Sequence, residues 1–130
     1  MCSVLFSLCS LALFANGVEI NGIYYLLNAT GQTATVTYTT DSDPTQSNPS
    51  AYTGKITIPE IVNYENVTYT VNTIGQKAFF YSRMDSLFLP QTIATIENAA
   101  FYRSRGIYEL NLPNLTTIGN EAFRYCGTIT

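Results

Sequence analysis

The stretch Ile74-Gly75-Gln76-Lys77-Ala78-Phe79 decides the fold, because the chain repeats it twice. It returns as Ile96-Glu97-Asn98-Ala99-Ala100-Phe101 and again as Ile118-Gly119-Asn120-Glu121-Ala122-Phe123. The copies begin about 22 residues apart, a period that is typical of solenoid proteins in which each repeat is one structural unit. A single repeat cannot bury its own apolar face, so successive copies must stack on one another.

A second element returns between the copies, as Leu87-Phe88-Leu89-Pro90 and then as Leu110-Asn111-Leu112-Pro113. Its leucines recur at alternate positions, which predicts a short strand, and the strand ends at proline because proline has no N–H for a sheet ladder. Both elements predict an α/β leucine-rich-repeat solenoid that is β-rich, with short helical or 3-10 turns at the Ala-Phe pairs. The predicted repeat core consists of the apolar residues that recur in columns: Ile74, Ala78, Phe79, Leu87, Leu89, Ile96, Ala100, Phe101, Leu110, Leu112, Ile118, Ala122 and Phe123.

The region from residue 18 to residue 70 has no such period and contains short apolar runs separated by turn residues. Asn21-Gly22 lies between two of these runs and is the strongest short signal for a hairpin. Residues 41–50 include no large apolar side chain and predict a loop. We therefore predict an N-terminal β-hairpin cap over residues 18–70. Leucine-rich repeats then follow over residues 71–130, about two and a half copies, with the third apparently truncated before its strand.

Residues 1–17 predict a secretory signal peptide. The run from Val4 to Phe14 is almost entirely apolar and uncharged, and its length suits a signal-peptide core rather than a membrane span. A buried first strand and a membrane anchor are the alternatives, and no later apolar stretch is long enough to span a bilayer. Removal of the segment leaves Cys126 as the single cysteine, so no internal disulfide is expected. The predicted location is secreted or cell surface.

Composition argues against several classes of function. The chain has a formal net charge of −3 and no long basic run, so nucleic acid is a poor candidate partner. It contains no histidine, the residue used most often for general acid–base catalysis and for metal binding. No nucleophile elbow, phosphate loop or dinucleotide fingerprint is present. We predict that the protein is not an enzyme and that it has no catalytic residue, cofactor or metal site.

The repeat pattern also supports a family assignment. Ile-Gly-x-x-Ala-Phe, followed by a small residue, an apolar residue and Leu-x-Leu-Pro, resembles the BspA-like (treponemal-type) leucine-rich repeat. Residues 19–25 and 52–59 are similar to the N-terminal region that such proteins often carry, so the resemblance covers roughly residues 18–130. Glu97 departs from the pattern where the other copies have glycine, and Ser82 and Ser104 stand where the family often has cysteine. The resemblance implies an exported or surface-displayed protein that binds other macromolecules, often as an adhesin.

The outward positions of the predicted strands are the candidate partner-binding residues: Thr57, Ser86, Phe88, Glu109 and Asn111. The sheet face of a solenoid is its customary binding surface, and a large apolar side chain such as Phe88 on an exposed sheet requires an explanation. The predicted function is non-catalytic binding of a protein or glycan ligand. Two alternatives stay open: the capping end of a longer array with no binding of its own, and a glycan-binding module that uses the tyrosine-rich cap.

Two further columns have both a functional and a purely structural interpretation. Tyrosines follow the phenylalanine column in each copy: Tyr81, Tyr102 and Tyr125. They form either an aromatic contact stripe or a simple cover for the convex side of the solenoid. Arginines fall near corresponding places in successive copies: Arg83, Arg103, Arg105 and Arg124. They form either a basic edge for an acidic partner or ordinary solvated charges.

Overall fold

The computed structural model describes residues 17–40 and 42–127, and within these residues the chain forms two β-sheets and no helix. Residues 1–16 of the predicted signal peptide lie outside the described residues. The strands are β1 (Val18–Ile20), β2 (Ile23–Asn28), β3 (Thr33–Thr37), β4 (Thr53–Thr57), β5 (Ile61–Tyr64), β6 (Val67–Ile74), β7 (Arg83–Phe88), β8 (Thr95–Ile96) and β9 (Thr117–Ile118). The larger sheet has the order β1-β2-β3-β6-β8-β9, with β5 also paired to β6, and the smaller sheet pairs β4 with β7.

The N-terminal region is built from hairpins. β1 and β2 pair in antiparallel fashion across Asn21-Gly22, whose φ angles are 52° and 87°. Positive φ at both central residues is the requirement of the turn that matches the twist of two-residue hairpins. β2 then pairs with β3, and β5 with β6, again in antiparallel fashion. The predicted turn at Asn21-Gly22 is therefore present.

A parallel ladder runs through the copies and begins inside the hairpin region. Three Thr-Ile pairs stack in parallel: Thr73-Ile74, Thr95-Ile96 and Thr117-Ile118. On the other side of β6, Val36 of β3 is the parallel partner of Ile74. The same backbone hydrogen bond recurs at each step: Gly75 N to Val36 O (2.8 Å), Glu97 N to Ile74 O (2.9 Å) and Gly119 N to Ile96 O (2.7 Å). β3 thus takes the place of a repeat strand, and the hairpins continue directly into the solenoid.

The Ile-Gly-x-x-Ala-Phe segments are runs of hydrogen-bonded turns, and not the short helical or 3-10 turns that the sequence predicted. Ala78 N donates to Gly75 O at 3.1 Å, which closes one tight turn. A helix does not continue from it because Lys77 and Tyr81 have φ angles of 56° and 58°, whereas a right-handed helix needs negative φ at every residue. The equivalent residues of the other copies share this left-handed conformation: Ala99, Arg103, Glu121 and Tyr125.

These left-handed residues direct alternate N–H groups toward the next copy. Three donors of the first copy bond to the second: Lys77 N to Asn98 O (3.2 Å), Phe79 N to Ala100 O (2.8 Å) and Tyr81 N to Tyr102 O (2.8 Å). The second copy bonds to the third in the same way, from Ala99, Phe101 and Arg103 to the carbonyls of Asn120, Ala122 and Arg124. The turns are therefore joined by regular backbone bonds, much as strands are joined in a sheet.

The smaller sheet is shorter than predicted. Thr57 pairs with Phe88 in β4 and β7, but from the second copy only Arg105 joins them, as an isolated bridge to Arg83. The strand predicted at Leu110-Asn111-Leu112 is absent from the described residues. The second copy has one more residue than the first between its phenylalanine and its leucines, and Gly106 accommodates it with a φ of 96°. After the bridge at Arg105, no further residue of the second copy pairs with β7 among the described residues.

An aromatic column forms the centre of the core. The rings of Phe79, Phe101 and Phe123 stack with centroids 5.1 Å apart, and Tyr52 extends the column at 4.8 Å from Phe79. The other predicted core residues that are buried are Ile74, Ala78, Leu87, Ile96, Ala100 and Ala122. Four are half-buried: Leu89, Leu110, Leu112 and Phe123. The stack of layers, rather than a separate globule, is therefore the hydrophobic core.

Ile118 is a correction to the predicted core. Its side chain is 55% exposed. It lies in β9, which is the edge strand of the larger sheet, and within the described residues no strand pairs with its outer side. Ile74 and Ile96 have a paired strand on both sides and are buried, whereas Ile118 has one on a single side.

The hairpin region supplies an initial layer made from residues unlike those of the repeats. Ser50 N donates to Phe80 O at 3.0 Å, and Ser50 Oγ donates to Ala78 O at 2.5 Å. These bonds satisfy carbonyl groups that face away from the second copy. Tyr52 stands in the phenylalanine column. The first periodic copy is therefore already covered on its outer side, as a solenoid end requires.

Alkaline pH is expected to destabilise the protein through its buried tyrosines. Burial raises the pKa of the Tyr25 phenol from its ordinary value of 10.0 to about 12, and burial also raises the pKa of Tyr52. Between pH 10 and 12 the unfolded chain releases this proton while the folded chain keeps it. The contribution of this phenol to the free energy of unfolding is therefore constant below pH 10. Above pH 10 the free energy of unfolding falls, by at most about 1.4 kcal/mol per pH unit for one proton.

Urea titrations from pH 8 to pH 12 measure this fall. Tyr25→Phe is expected to show a smaller fall than the wild-type chain, because its aromatic ring is kept and the ionisable group is removed. Tyr125→Phe is the control, since that residue is 54% exposed. A wild-type slope that is unchanged in Tyr25→Phe would contradict the prediction.

Candidate binding surface

The outer face of the smaller sheet presents side chains that the core does not use. Successive side chains of a strand point to opposite faces. In β7, Leu87 is buried whereas the next residue, Phe88, is 64% exposed. In β4, Thr57 is exposed opposite Phe88, and Lys55 is exposed opposite Ser86. Thr57 and Phe88 are therefore neighbours on one outward face.

Phe88 also borders a shallow cleft of about 260 Å³ between the first and second copies. The cleft is lined by Leu87, Phe88, Leu89, Glu109, Leu110 and Asn111. The Phe88 ring offers apolar area, the Glu109 carboxylate accepts hydrogen bonds, and the Asn111 amide both donates and accepts them. An exposed aromatic ring with polar groups at its margin has the composition of a protein-contact site.

The structure brings most of the predicted partner-binding residues together. Phe88, Glu109 and Asn111 line the same cleft. Thr57 lies beside Phe88 and lines a second cleft, of about 500 Å³, which extends toward the turn between β1 and β2. Ser86 is half-buried opposite Lys55 and lines neither cleft. Three of the five predicted residues thus form one site, with a fourth adjacent to it.

Tyr108 is an exposed aromatic residue that the sequence analysis did not include among the candidates. Its side chain is 62% exposed, and it directly precedes Glu109 of the cleft. Tyr108 stands two residues before Leu110, so strand alternation predicts that it points inward with Leu110 and Leu112. The predicted strand is absent from the described residues at this place, so alternation gave no signal for the exposure of Tyr108.

None of the described side chains with a shifted pKa lines this cleft, and the cysteine thiol among them lies in the stack. Cys126 is half-buried, burial raises the pKa of its thiol, and its Sγ donates to Phe101 O at 2.7 Å. It occupies the same column as Ser82, whose Oγ donates to Ser50 O at 2.5 Å. Among the described residues, no group of three or more acidic, cysteine or histidine side chains is placed to hold a metal ion. The described residues also contain no helix that is long and apolar enough to cross a membrane.

The repeats of this chain match a known family. Residues 45–130 match a family model described as "BspA type Leucine rich repeat region (6 copies)". The chain belongs to the BspA-type leucine-rich-repeat family. The match begins at residue 45, so this BspA-type region includes Ser50 and Tyr52 of the initial layer but not Val36 of β3.

Solved structures resemble this BspA-type chain over most of its length. One is a leucine-rich cell surface protein from Faecalibacterium prausnitzii A2-165, with 25% identity and a TM-score of 0.63 over 87% of this chain. The chain spans 29% of the length of that protein. Another is a leucine-rich-repeat protein from Bacteroides capillosus, with 19% identity and a TM-score of 0.50 over 88% of this chain and 96% of the other. No curated protein matches the chain.

Proposed function

We propose that this is a non-catalytic, exported or cell-surface leucine-rich-repeat protein that binds a protein partner through the outer face of the smaller sheet. The observation that carries the proposal is the Phe88 ring, 64% exposed at the margin of the cleft. Removal of apolar surface from water is the dominant favourable contribution in most protein–protein association. The family and the cell-surface protein from Faecalibacterium prausnitzii support surface display, and the apolar run from Val4 to Phe14 supports export.

The shape of the surface favours a protein over a small molecule. Small-molecule sites have volumes of about 300–1,000 Å³ and bury most of their ligand, whereas the Phe88 cleft is shallow and holds about 260 Å³. Protein interfaces instead place one aromatic anchor inside a ring of polar contacts. Thr57, Glu109 and Asn111 supply such contacts around Phe88. Adhesion to a host or neighbouring cell is the form of this function that surface display favours.

Phe88→Ala is expected to weaken partner binding at least about tenfold, because truncation of a central aromatic anchor commonly costs 2 kcal/mol or more. Asn111→Ala is expected to have a smaller effect in the same direction. The measurement is biolayer interferometry of the full chain against a panel of purified extracellular proteins, first to find the partner and then to compare variants. Ile61→Ala is the matched control, since Ile61 is 51% exposed but lies in β5 of the larger sheet.

Equal binding by Phe88→Ala, Asn111→Ala and the wild-type chain would reject the sheet face as the binding surface. That result favours the structural alternative, in which this region caps an array and other repeats bind. An equal loss in Ile61→Ala and Phe88→Ala would show instead that binding depends on general surface apolarity.

A further inference from the structure

A third cleft, distinct from the Phe88 cleft and from the one beside Thr57, lies where the turns of the three copies stack. It holds about 260 Å³ and is lined by side chains from all three copies. Two outward columns form it. The first column lies two residues after the motif phenylalanines and consists of Tyr81, Arg103 and Tyr125. The second column lies four residues after them and consists of Arg83, Arg105 and Gly127. Gly127 leaves space in its column, because a Cβ placed there meets no atom within 4 Å.

The cleft concentrates positive charge in a protein whose net charge is −3. Three of the six Lys and Arg residues of the chain line it: Arg83, Arg103 and Arg105. Lys77 and Arg124 have ion pairs elsewhere, with Asp43 and Glu121 respectively. Within the described part of the chain, no carboxylate lies within ion-pair distance of the three arginines in the cleft.

The arginines are also held in a definite arrangement. Arg83 and Arg105 are paired by a parallel bridge, which sets their backbones about 4.8 Å apart. The Arg103 guanidinium lies between two tyrosine rings, 5.7 Å from the centroid of Tyr81 and 4.6 Å from that of Tyr125. The rings are not hydrogen-bond acceptors of the usual kind, and the planar fork of N–H groups on a guanidinium binds a carboxylate in bidentate fashion.

The surroundings favour a sugar over a peptide. A peptide that adds to a sheet needs a row of unpaired backbone groups, and in the first two copies the N–H groups of the cleft are already bonded between layers: Tyr81 N to Tyr102 O, Arg103 N to Arg124 O and Arg105 N to Ser82 O. The lining contains arginine, tyrosine, glycine and the half-buried Cys126, with no aliphatic side chain to anchor a peptide residue. The Tyr81 hydroxyl donates to Gln46 Oε1 at 3.4 Å and the Tyr125 hydroxyl accepts from Arg124 at 2.9 Å. The guanidinium N–H groups of the cleft are therefore the donors offered to a ring that carries hydroxyls.

We propose that this cleft binds a saccharide bearing carboxylate groups, with the carboxylate on the guanidinium groups of Arg83, Arg103 and Arg105. The site is separate from the proposed protein-binding face around Phe88. Its volume, about 260 Å³, equals that of the Phe88 cleft, so the charge and the hydrogen-bonding groups of its lining, and not its volume, distinguish the two clefts.

Titration calorimetry of the full chain with trigalacturonic acid at low ionic strength tests the proposal. We expect binding that weakens with added salt and that is lost with the methyl ester of the same trisaccharide, which is neutral. Arg103→Gln and Arg105→Gln are each expected to raise Kd about threefold to fivefold. Arg103→Lys is expected to raise Kd as well, because lysine keeps the charge but has no planar fork.

Controls separate this site from general electrostatics and from the Phe88 face. Lys55→Gln makes the same change of charge on the smaller sheet, and Phe88→Ala removes the other proposed anchor, so both are expected to bind the trisaccharide as the wild-type chain does. The melting temperature of each variant confirms folding. Equal binding of the methyl ester, an equal effect of Lys55→Gln and Arg105→Gln, or tighter binding of a triglutamate peptide than of the trisaccharide would each overturn the proposal.

Discussion

Replacement of Phe101 by alanine is expected to lower the free energy of unfolding by about 3–5 kcal/mol, the largest effect of any single truncation in the repeats. The Phe101 side chain is completely buried, and its ring lies between those of Phe79 and Phe123 at 5.1 Å on either side. Its loss leaves a cavity that touches two other layers. Because turns and strands are bonded between layers, the neighbouring copies cannot close on the cavity without breaking backbone hydrogen bonds.

Two further phenylalanine variants calibrate this effect in urea denaturation followed by circular dichroism. Phe123→Ala removes the same ring from a half-buried position with one described aromatic neighbour in the column, and a smaller loss is expected. Phe88→Ala removes a ring that is 64% exposed, so its effect on stability is expected to stay within about 0.5 kcal/mol. Equal losses in the three variants would contradict the assignment of Phe101 to the centre of the core.

The phenylalanine column could be predicted because identical chemistry recurs at a constant period. The same argument failed at Ile118, which has the sequence context of Ile74 and Ile96 but lies at the edge of the larger sheet. A column predicts which way a side chain points, whereas burial also requires a neighbouring layer. The partner-binding candidates followed from strand alternation, and Phe88 is exposed as alternation predicts. The one-residue difference in spacing between the first two copies is visible in the sequence, but the absence of a strand at Leu110-Asn111-Leu112 was not predicted.

The form of the turns could not be predicted, for a different reason. The left-handed φ angles fall on Lys77, Tyr81, Ala99 and Arg103, none of which is a residue that favours this conformation. Local preference would therefore assign them to a helical turn. The interlayer bonds they permit, such as Phe79 N to Ala100 O, stabilise the left-handed form only once two copies are stacked. The conformation is a property of the array and not of one repeat.

The initial layer could not be predicted from the period either, because it has a different composition. Tyr52 replaces phenylalanine in the column, and Ser50 replaces the backbone donors of a preceding turn. Residues 38–40 and 42–49 belong to no strand, and they separate the parallel strand of this layer from Ser50 by more residues than in any later copy. Sequence similarity between copies was therefore a poor guide to which segments stack.

Tyr52→Ala is expected to lower the free energy of unfolding by about 3–5 kcal/mol, because it removes the ring that joins the hairpin region to the repeats. The Tyr52 side chain is 3% exposed, and its ring centroid lies 4.8 Å from that of Phe79. Its hydroxyl donates to Thr37 O at 2.7 Å and accepts from Tyr24 N at 3.0 Å.

Tyr52→Phe keeps the ring and removes only the hydroxyl. The expected loss in the free energy of unfolding is about 1–3 kcal/mol, because a buried carbonyl and an N–H group lose their partner. Tyr125→Phe, at a position 54% exposed, is the control for hydroxyl removal.

Native-state hydrogen exchange distinguishes loss of this junction from general destabilisation. The Gly75 N–H bonds across the junction to Val36 O, whereas the Glu97 N–H bonds within the repeats to Ile74 O. If Tyr52 holds the initial layer in place, Tyr52→Ala lowers protection at Gly75 more than at Glu97, because the hairpins then open before the array does. Equal loss at the two amides would mean that hairpins and repeats unfold as one unit in the variant. In that case the layer formed by Val36, Ser50 and Tyr52 is an integral part of the solenoid, and not a cap that can be detached from it.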